Sequence, residues 1–359
     1  MVSKSIFDTF FCYICNRLCG LCIYKVNDFT EQSPTAEQKN NKKPKNSNTM
    51  KRVLLLVALV ATSLSCIAAK PAKKAENLTR AQKIYAELHN PSSKQVLVAA
   101  HRADWRNFPE NSLEAIESAI NMGVDIIELD IKMTKDGHLV LMHDKKLDRT
   151  TSGKGLVSDY TLAELKAMVL RAAQGVKTRY KIPTLEEALL VCKDRAVINV
   201  DHGYDLYDDV WALLEKHNML DQVLIKGSKQ PAEVKAKLAS YTKNMMYMPV
   251  LKMQKDDSME YLQAHLDGFP CIAYELCWKP GYTDRFEKAA KSIIASKAKI
   301  WVNTLWGSQC GGLDDDLAAE CKENLDKVYG YMVSKGVTII QTDRPAQLIG
   351  YLRSKGLHD

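Results

Sequence analysis

The sequence predicts an α/β chain folded as a closed eight-stranded β/α barrel, with an additional β-hairpin arm after the second strand. Three observations carry this. Nine short apolar runs lie between residues 96 and 341, amphipathic stretches with helix-start signals separate most of them, and one pair of runs is joined by only six residues. Strands that alternate with helices form a parallel sheet. A doubly wound open sheet is the alternative; the strand count favours closure, because a β/α barrel takes eight.

In chain order the runs are 96–100 (VLVAA), 125–131 (DIIELDI), 138–142 (HLVLM), 196–200 (AVINV), 222–226 (QVLIK), 245–250 (MMYMPV), 270–274 (PCIAY), 299–303 (KIWVN) and 337–341 (VTIIQ). Thr161 with Glu164, Thr184 with Glu187 and Asn111 with Glu114 have the spacing of a capping box. The second and third runs are separated by KMTKDG, whose Asp136-Gly137 suits a two-residue hairpin turn. Setting that arm aside leaves eight strands, each followed by a stretch long enough to hold a helix. With Asp136-Gly137 as the loop, Lys135 faces His138, and stepping outward places His143 opposite Asp130, with Cβ atoms about 5 Å apart.

Upstream of the barrel the chain changes character. Met50-Lys51-Arg52 followed by VLLLVALVA reads as the start of a secretory signal peptide over residues 50–69, too short to span a bilayer comfortably. Translation is therefore expected to start at Met50, with residues 1–49 an over-extended and disordered leader. TSLSCIAA allows lipidation of Cys66 or ordinary cleavage near Ala68 or Ala69. The expected setting is export, to the periplasm or an outer-membrane lipoprotein anchor of a bacterium. Residues 70–94 read as a tether with a lead-in helix around 77–89, and residues 95–359 as the barrel domain. Cys12, Cys15, Cys19 and Cys22 have a metal-site spacing that means nothing if the leader is not made.

The net charge of +7 does not describe the barrel. Residues 95–359 hold 35 Lys/Arg against 37 Asp/Glu, so the basic excess lies wholly upstream. That balance does not support a nucleic-acid face on the barrel.

The chemistry gathers at predicted strand ends, where barrels place their active faces. Glu128 and Asp130 share one side of the second strand. Two carboxylates so close need a proton or a cation between them, and hard oxygen ligands suit Mg²⁺ or Ca²⁺. Asp201, ending the fourth strand in VINVDHG, is where a third metal carboxylate would come from. His101 and Arg102 end the first strand, and an Arg can grip a phosphate bidentately. Two histidines, His101 and His143, beside a metal and an Arg suit acid–base cleavage of a phosphodiester. Glu110 in PENS lies where it could reach the site or orient Arg102, while Asn111 or Ser112 caps the following helix. Lys226 contacts phosphate or is merely solvated. Trp301 and Asn303 wall a glycerol or headgroup, or Trp301 is barrel packing. His202 and Asp144 read as strand-end polar residues.

The blocks HR…PENS and GVDIIELDIKMTKDGHLVLMHDKKLDRTTSGKG, followed by IPTLEEAL, NVD, WVNTLW and GVTIIQTDRP, resemble the glycerophosphodiester phosphodiesterase family over roughly residues 95–355. The resemblance implies a TIM (β/α)₈ barrel, a divalent metal, and hydrolysis of a small-molecule glycerophosphodiester to glycerol 3-phosphate and an alcohol. By position it makes His101 and His143 the acid/base pair, Arg102 the phosphate clamp, and Glu128, Asp130 and Asp201 the metal ligands. Attack by the glycerol 2-hydroxyl through a cyclic phosphate is also implied. Three departures bear on the substrate: Ala103 stands where the family has Gly, Asp201 where it has Glu, and Gly203 where it has Lys. The competing expectations are a phospholipase C-like enzyme acting on intact phospholipid, with Trp105, Phe108 and Trp306 as an apolar rim, and a non-catalytic phosphate-binding barrel.

Overall fold

The computed structural model describes residues 78–359. The expectations for the leader, the signal segment, the start of the tether, Cys66 and the Cys12–Cys22 spacing lie outside the described residues.

Nine strands form one sheet. They are β1 (Leu97–Ala100), β2 (Ile126–Met133), β3 (Leu139–Leu141), β4 (Val197–Asp201), β5 (Val223–Gly227), β6 (Met246–Lys252), β7 (Ala273–Cys277), β8 (Lys299–Asn303) and β9 (Ile339–Thr342). Eight are parallel and close on themselves, with β1 pairing β2 on one side and β9 on the other. The ninth, β3, runs antiparallel on β2. The barrel and the extra arm are therefore as the sequence predicts. The seventh strand begins three residues later than the run at 270–274 and ends three residues later, running extended through the buried Glu275 to Cys277.

The helices cover the outside. Those facing β1 to β4 are Leu113–Met122 and Leu185–Cys192, and Tyr207–His217 follows β4. Thr161 and Thr184 form the expected capping boxes. Asn111 does not: Ser112 caps Leu113–Met122 by accepting the Ala115 N–H, and Asn111 turns inward. Helix α1 (Arg80–Leu88) closes the barrel's N-terminal end. Its Ile84 and Leu88 pack on Leu97, Ile126, Val197, Leu224, Met246 and Trp301. Among the described residues no helix is long and apolar enough to cross a membrane.

The β2–β3 hairpin corrects the predicted register. Its loop has three residues, Lys135 to Gly137. The Thr134 N–H donates to the His138 carbonyl at 2.9 Å, and the Thr134 hydroxyl accepts the His138 N–H at 2.9 Å. Gly137 takes φ +82°, the left-handed position such loops require. Ile131 consequently faces Leu141, and the Met142 N–H donates to the Asp130 carbonyl, so Met142 rather than His143 lies opposite Asp130.

Candidate active site

Strand alternation places the site. Counting inward-facing positions upward gives Glu128 and Asp130 on β2, Asn199 and Asp201 on β4, Lys226 on β5, Glu275 on β7 and Asn303 on β8. The parallel register sets Glu128 beside Asn199 and Asp130 beside Asp201. Ligand atoms of Glu128, Asp130 and Asp201 lie within 4.8 Å of one another. Glu128 and Asp130 are 2 % exposed. Burial, then the charges of Asp130 and Asp201, push the Glu128 carboxyl well above the ordinary range, with Lys226 and the Arg102 N–H opposing. Three hard oxygen donors converging with anionic charge in excess fit a divalent cation.

Each carboxylate is held. The Arg102 N–H donates to Glu128 Oε2 at 2.9 Å. Asn111 Nδ2 donates to Asp130 Oδ2 at 2.9 Å, and the Asp130 N–H returns to Asn111 Oδ1 at 3.1 Å. Lys226 Nζ lies 3.5 Å from Asp201 Oδ1, 3.9 Å from Glu128 Oε1 and 3.8 Å from Glu275 Oε2. Burial disfavours its charge, but Glu275, Asp201 and Glu128 more than offset that and hold it protonated.

Each histidine is held by a carboxylate. His101 Nδ1 meets Asp343 Oδ1 at 2.7 Å, and the Trp105 indole donates to the same oxygen at 2.6 Å. His143 Nδ1 meets Asp144 Oδ1 at 2.6 Å. A carboxylate only accepts, so both rings carry their proton on Nδ1 and present Nε2. Asp144 and Glu110 grip Arg149 from two sides, Arg149 Nε to Asp144 Oδ2 at 2.7 Å and Nη1 to Glu110 Oε2 at 2.7 Å. Glu110 also accepts from Arg102 Nη1 at 3.2 Å. A continuous polar chain thus runs from His143 through Asp144, Arg149 and Glu110 to Arg102. Burial raises the Glu110 carboxyl, but Arg149 and Arg102 outweigh it and lower it below the usual range.

Among the predicted residues, His101, Arg102, Glu128, Asp130, Asp201 and Lys226 gather at one end of the barrel, and Glu110 and His143 join them through Arg149. Trp301 is corrected: it is fully buried in the interior layer beneath the site, with its indole donating to Asn303 Oδ1 at 2.7 Å. The ring at the mouth is Trp306, half exposed and 5.6 Å edge-on from His101. Asp343, Arg149 and Glu275 were not singled out by the sequence reading. The first stands in the quoted GVTIIQTDRP block, and an Arg five residues beyond Asp144 was a signal for the second. Nothing in an apolar run marks Glu275 as facing inward.

Residues 101–261 match the model of the glycerophosphoryl diester phosphodiesterase family, and residues 247–352 match one described as a domain of unknown function. A glycerophosphodiester phosphodiesterase of Caldanaerobacter subterraneus subsp. tengcongensis is 30% identical over 276 residues, 73% of this chain and 100% of that protein. One of Bacillus subtilis is 37% identical over 164 residues, 40% of this chain and 56% of that protein. Among solved structures, a glycerophosphoryl diester phosphodiesterase of Parabacteroides distasonis superposes with a TM-score of 0.65 at 23% identity, covering 78% of this chain and 93% of that one. An Oleispira antarctica phosphodiesterase in complex with the product sn-glycerol-3-phosphate gives 0.54 at 24% identity, covering 72% of this chain and 96% of that one. The likeness of both structures is one of fold; the nearly complete match to the Caldanaerobacter protein decides the family, and the chain belongs to the glycerophosphoryl diester phosphodiesterases.

Proposed function

We propose that this enzyme hydrolyses glycerophosphodiesters to glycerol 3-phosphate and an alcohol, with His101 and His143 as the proton-transfer pair. The observation that carries the reading is the pairing of each histidine with its own carboxylate on two sides of one carboxylate–arginine cluster. Arg102, held by Glu110, is placed to bind a phosphate oxygen. A divalent cation, Ca²⁺ or Mg²⁺, held by Glu128, Asp130 and Asp201 would neutralise phosphate charge.

His101 Nε2 takes the proton of the attacking glycerol 2-hydroxyl as its oxygen bonds to phosphorus. The bond from phosphorus to the alcohol oxygen breaks, and His143, entering this step as the imidazolium with a second proton on Nε2, gives that proton to the departing oxygen. Water then opens the cyclic phosphate with the proton transfers reversed. His101 is assigned to attack because it is buried under Trp306, and His143 to departure because it is the more exposed ring, at the rim where an alcohol leaves.

The test is release of glycerol 3-phosphate from glycerophosphocholine, glycerophosphoethanolamine and glycerophosphoinositol in Ca²⁺, in Mg²⁺ and in EDTA. His101→Ala and His143→Ala should each abolish it. Release that persists in EDTA removes the metal from the proposal, and release that persists in either variant removes that histidine. Location in the bacterial envelope, and membrane attachment through Cys66, are proposals of the same kind, checked by fractionating cells and by labelling with a fatty-acid analogue.

A further inference from the structure

A second cavity opens beside Asp201. It has a volume of about 260 Å³ and lies between the ends of β4, β5 and β6. Asp201 and Lys226 form its inner wall, so it is continuous with the carboxylate cluster. Its outer wall holds His202, Asp205, Lys229 and Lys252. Drug-sized ligand clefts run from about 300 Å³ upward, so this one suits a single small alcohol.

We infer that this cavity receives the leaving alcohol, and that it selects a hydroxyl-rich, uncharged or anionic alcohol over a quaternary ammonium. The inference rests on the phosphodiesterase reading above. The attacking and leaving oxygens of an in-line displacement lie on opposite sides of phosphorus. His101 reaches the site from β1, backed by Asp343 just beyond β9, whereas the cavity opens at the ends of β4, β5 and β6, on the other arc of the barrel. The arm of the substrate away from His101 therefore points into it.

Its charge decides the class. Lys226 is nine-tenths buried, and its ammonium faces the cavity while shared among Asp201, Glu275 and Glu128 at 3.5, 3.8 and 3.9 Å. Lys252, by contrast, has no carboxylate within 4.0 Å among the described residues, while Lys229 shares an exposed ion pair with Glu233 at 3.2 Å. Of the two acids in the wall, Asp201 already faces Lys226, at 3.5 Å, and His202, at 3.6 Å, leaving Asp205 and Lys252 at the outer wall beside the Lys229–Glu233 pair. A quaternary ammonium is recognised by aromatic faces. The aromatic ring here, Tyr204, instead packs edge-on against Tyr247 at 5.7 Å and against Tyr207 at 6.4 Å.

The experiment compares kcat/KM of the full chain for glycerophosphoinositol, glycerophosphoglycerol and glycerophosphocholine, with Lys252→Glu and Lys229→Glu beside it. The two polyol substrates should exceed glycerophosphocholine by about tenfold, one such interaction's worth, and each variant should shrink that ratio toward one. Equal or better turnover of glycerophosphocholine, or a ratio that neither variant moves, overturns the inference while leaving the reaction intact. If no substrate is cleaved, the phosphodiesterase reading fails on its own. Calorimetric titration of free inositol and free choline into the same protein then decides the cavity's preference, and choline binding as tightly as inositol refutes it.

Discussion

Replacing Asp343 by Asn tests the arrangement around His101. The Asp343 carboxylate accepts from His101 Nδ1 at 2.7 Å and from the Trp105 indole at 2.6 Å. Burial raises its pKa, but His101, Trp105 and Arg106 outweigh that and hold it below the usual carboxylate range. A depressed native value stabilises the fold above the unfolded carboxyl's pKa of about 3.9, and this is lost as pH falls through the native value. At neutral pH the wild type has the interaction in full. Asn keeps the shape and removes the charge. A hydrogen bond to a charged group is worth about 1.5–3 kcal/mol, and it matters most when His101 carries the second proton. At about 3 kcal/mol, kcat falls roughly 100-fold, while KM, set by Arg102 and the headgroup contacts, moves less than about threefold. The assay is glycerol 3-phosphate release across pH 6–9, with a thermal melt establishing that the variant folds. A kcat within threefold of wild type, or a loss confined to KM, would refute the role of Asp343 as the residue that positions His101.

Four further outcomes are expected. Divalent cation at 1,000 times its Kd should stabilise the wild type by about 4 kcal/mol; in Glu128→Gln the shift seen by calorimetry should largely vanish. Lys226→Met removes the ammonium that shares the carboxylates, so the cation-induced shift should grow while turnover falls; a smaller shift would show that Lys226 does not compete with the cation. His358 meets Asp125 at 2.9 Å, and although burial lowers its pKa, that bond more than restores it and raises it. Its stabilisation is full below about pH 6.5, the unfolded value, and is lost as pH rises through the native one, so urea titrations should find His358→Gln costly at pH 6 and nearly silent at pH 9. Ile84→Ala in α1, buried at the barrel floor, should cost about 2–4 kcal/mol in the same assay.

The strands were legible because parallel strands, buried on both faces, leave continuous apolar runs. Glu128, Asp130 and Asp201 were legible because alternation fixes which side chains share a face. The limits have physical causes. The hairpin register turned on one hydroxyl, that of Thr134, which takes an N–H that a two-residue turn would have given to the backbone. Asn111 looked like a cap because its short polar side chain suits one; the same side chain reaches Asp130, nineteen residues away. The positions of Asp343 and Glu275 depend on barrel closure, which brings β9 and β7 to elements far off in sequence. Trp301 is ambiguous from sequence alone, since an indole at a strand end packs or lines a pocket equally well.

Of the three departures from the family pattern, Ala103 follows β1, and Asp201 and Gly203 lie at the end of β4. Ala103 takes φ +62° with its methyl group buried, a strain of about 1 kcal/mol that Gly would avoid. Gly203 is confined: a Cβ there would come within 2.5 Å of Ile225 Cδ1 and 3.0 Å of the Val200 carbonyl, so a longer side chain requires Ile225 to turn aside and the backbone to give slightly. On β5, Lys226 lies 3.5 Å from Asp201, 3.9 Å from Glu128 and 3.8 Å from Glu275. Glu275 keeps Oε2 buried without a hydrogen-bond partner at the far side of the same ammonium. An unpaired buried carboxylate oxygen is costly, and a strand that retains one does so for what the oxygen faces. Here it faces Lys226, 3.8 Å away, whose ammonium Glu275, Asp201 and Glu128 together hold charged.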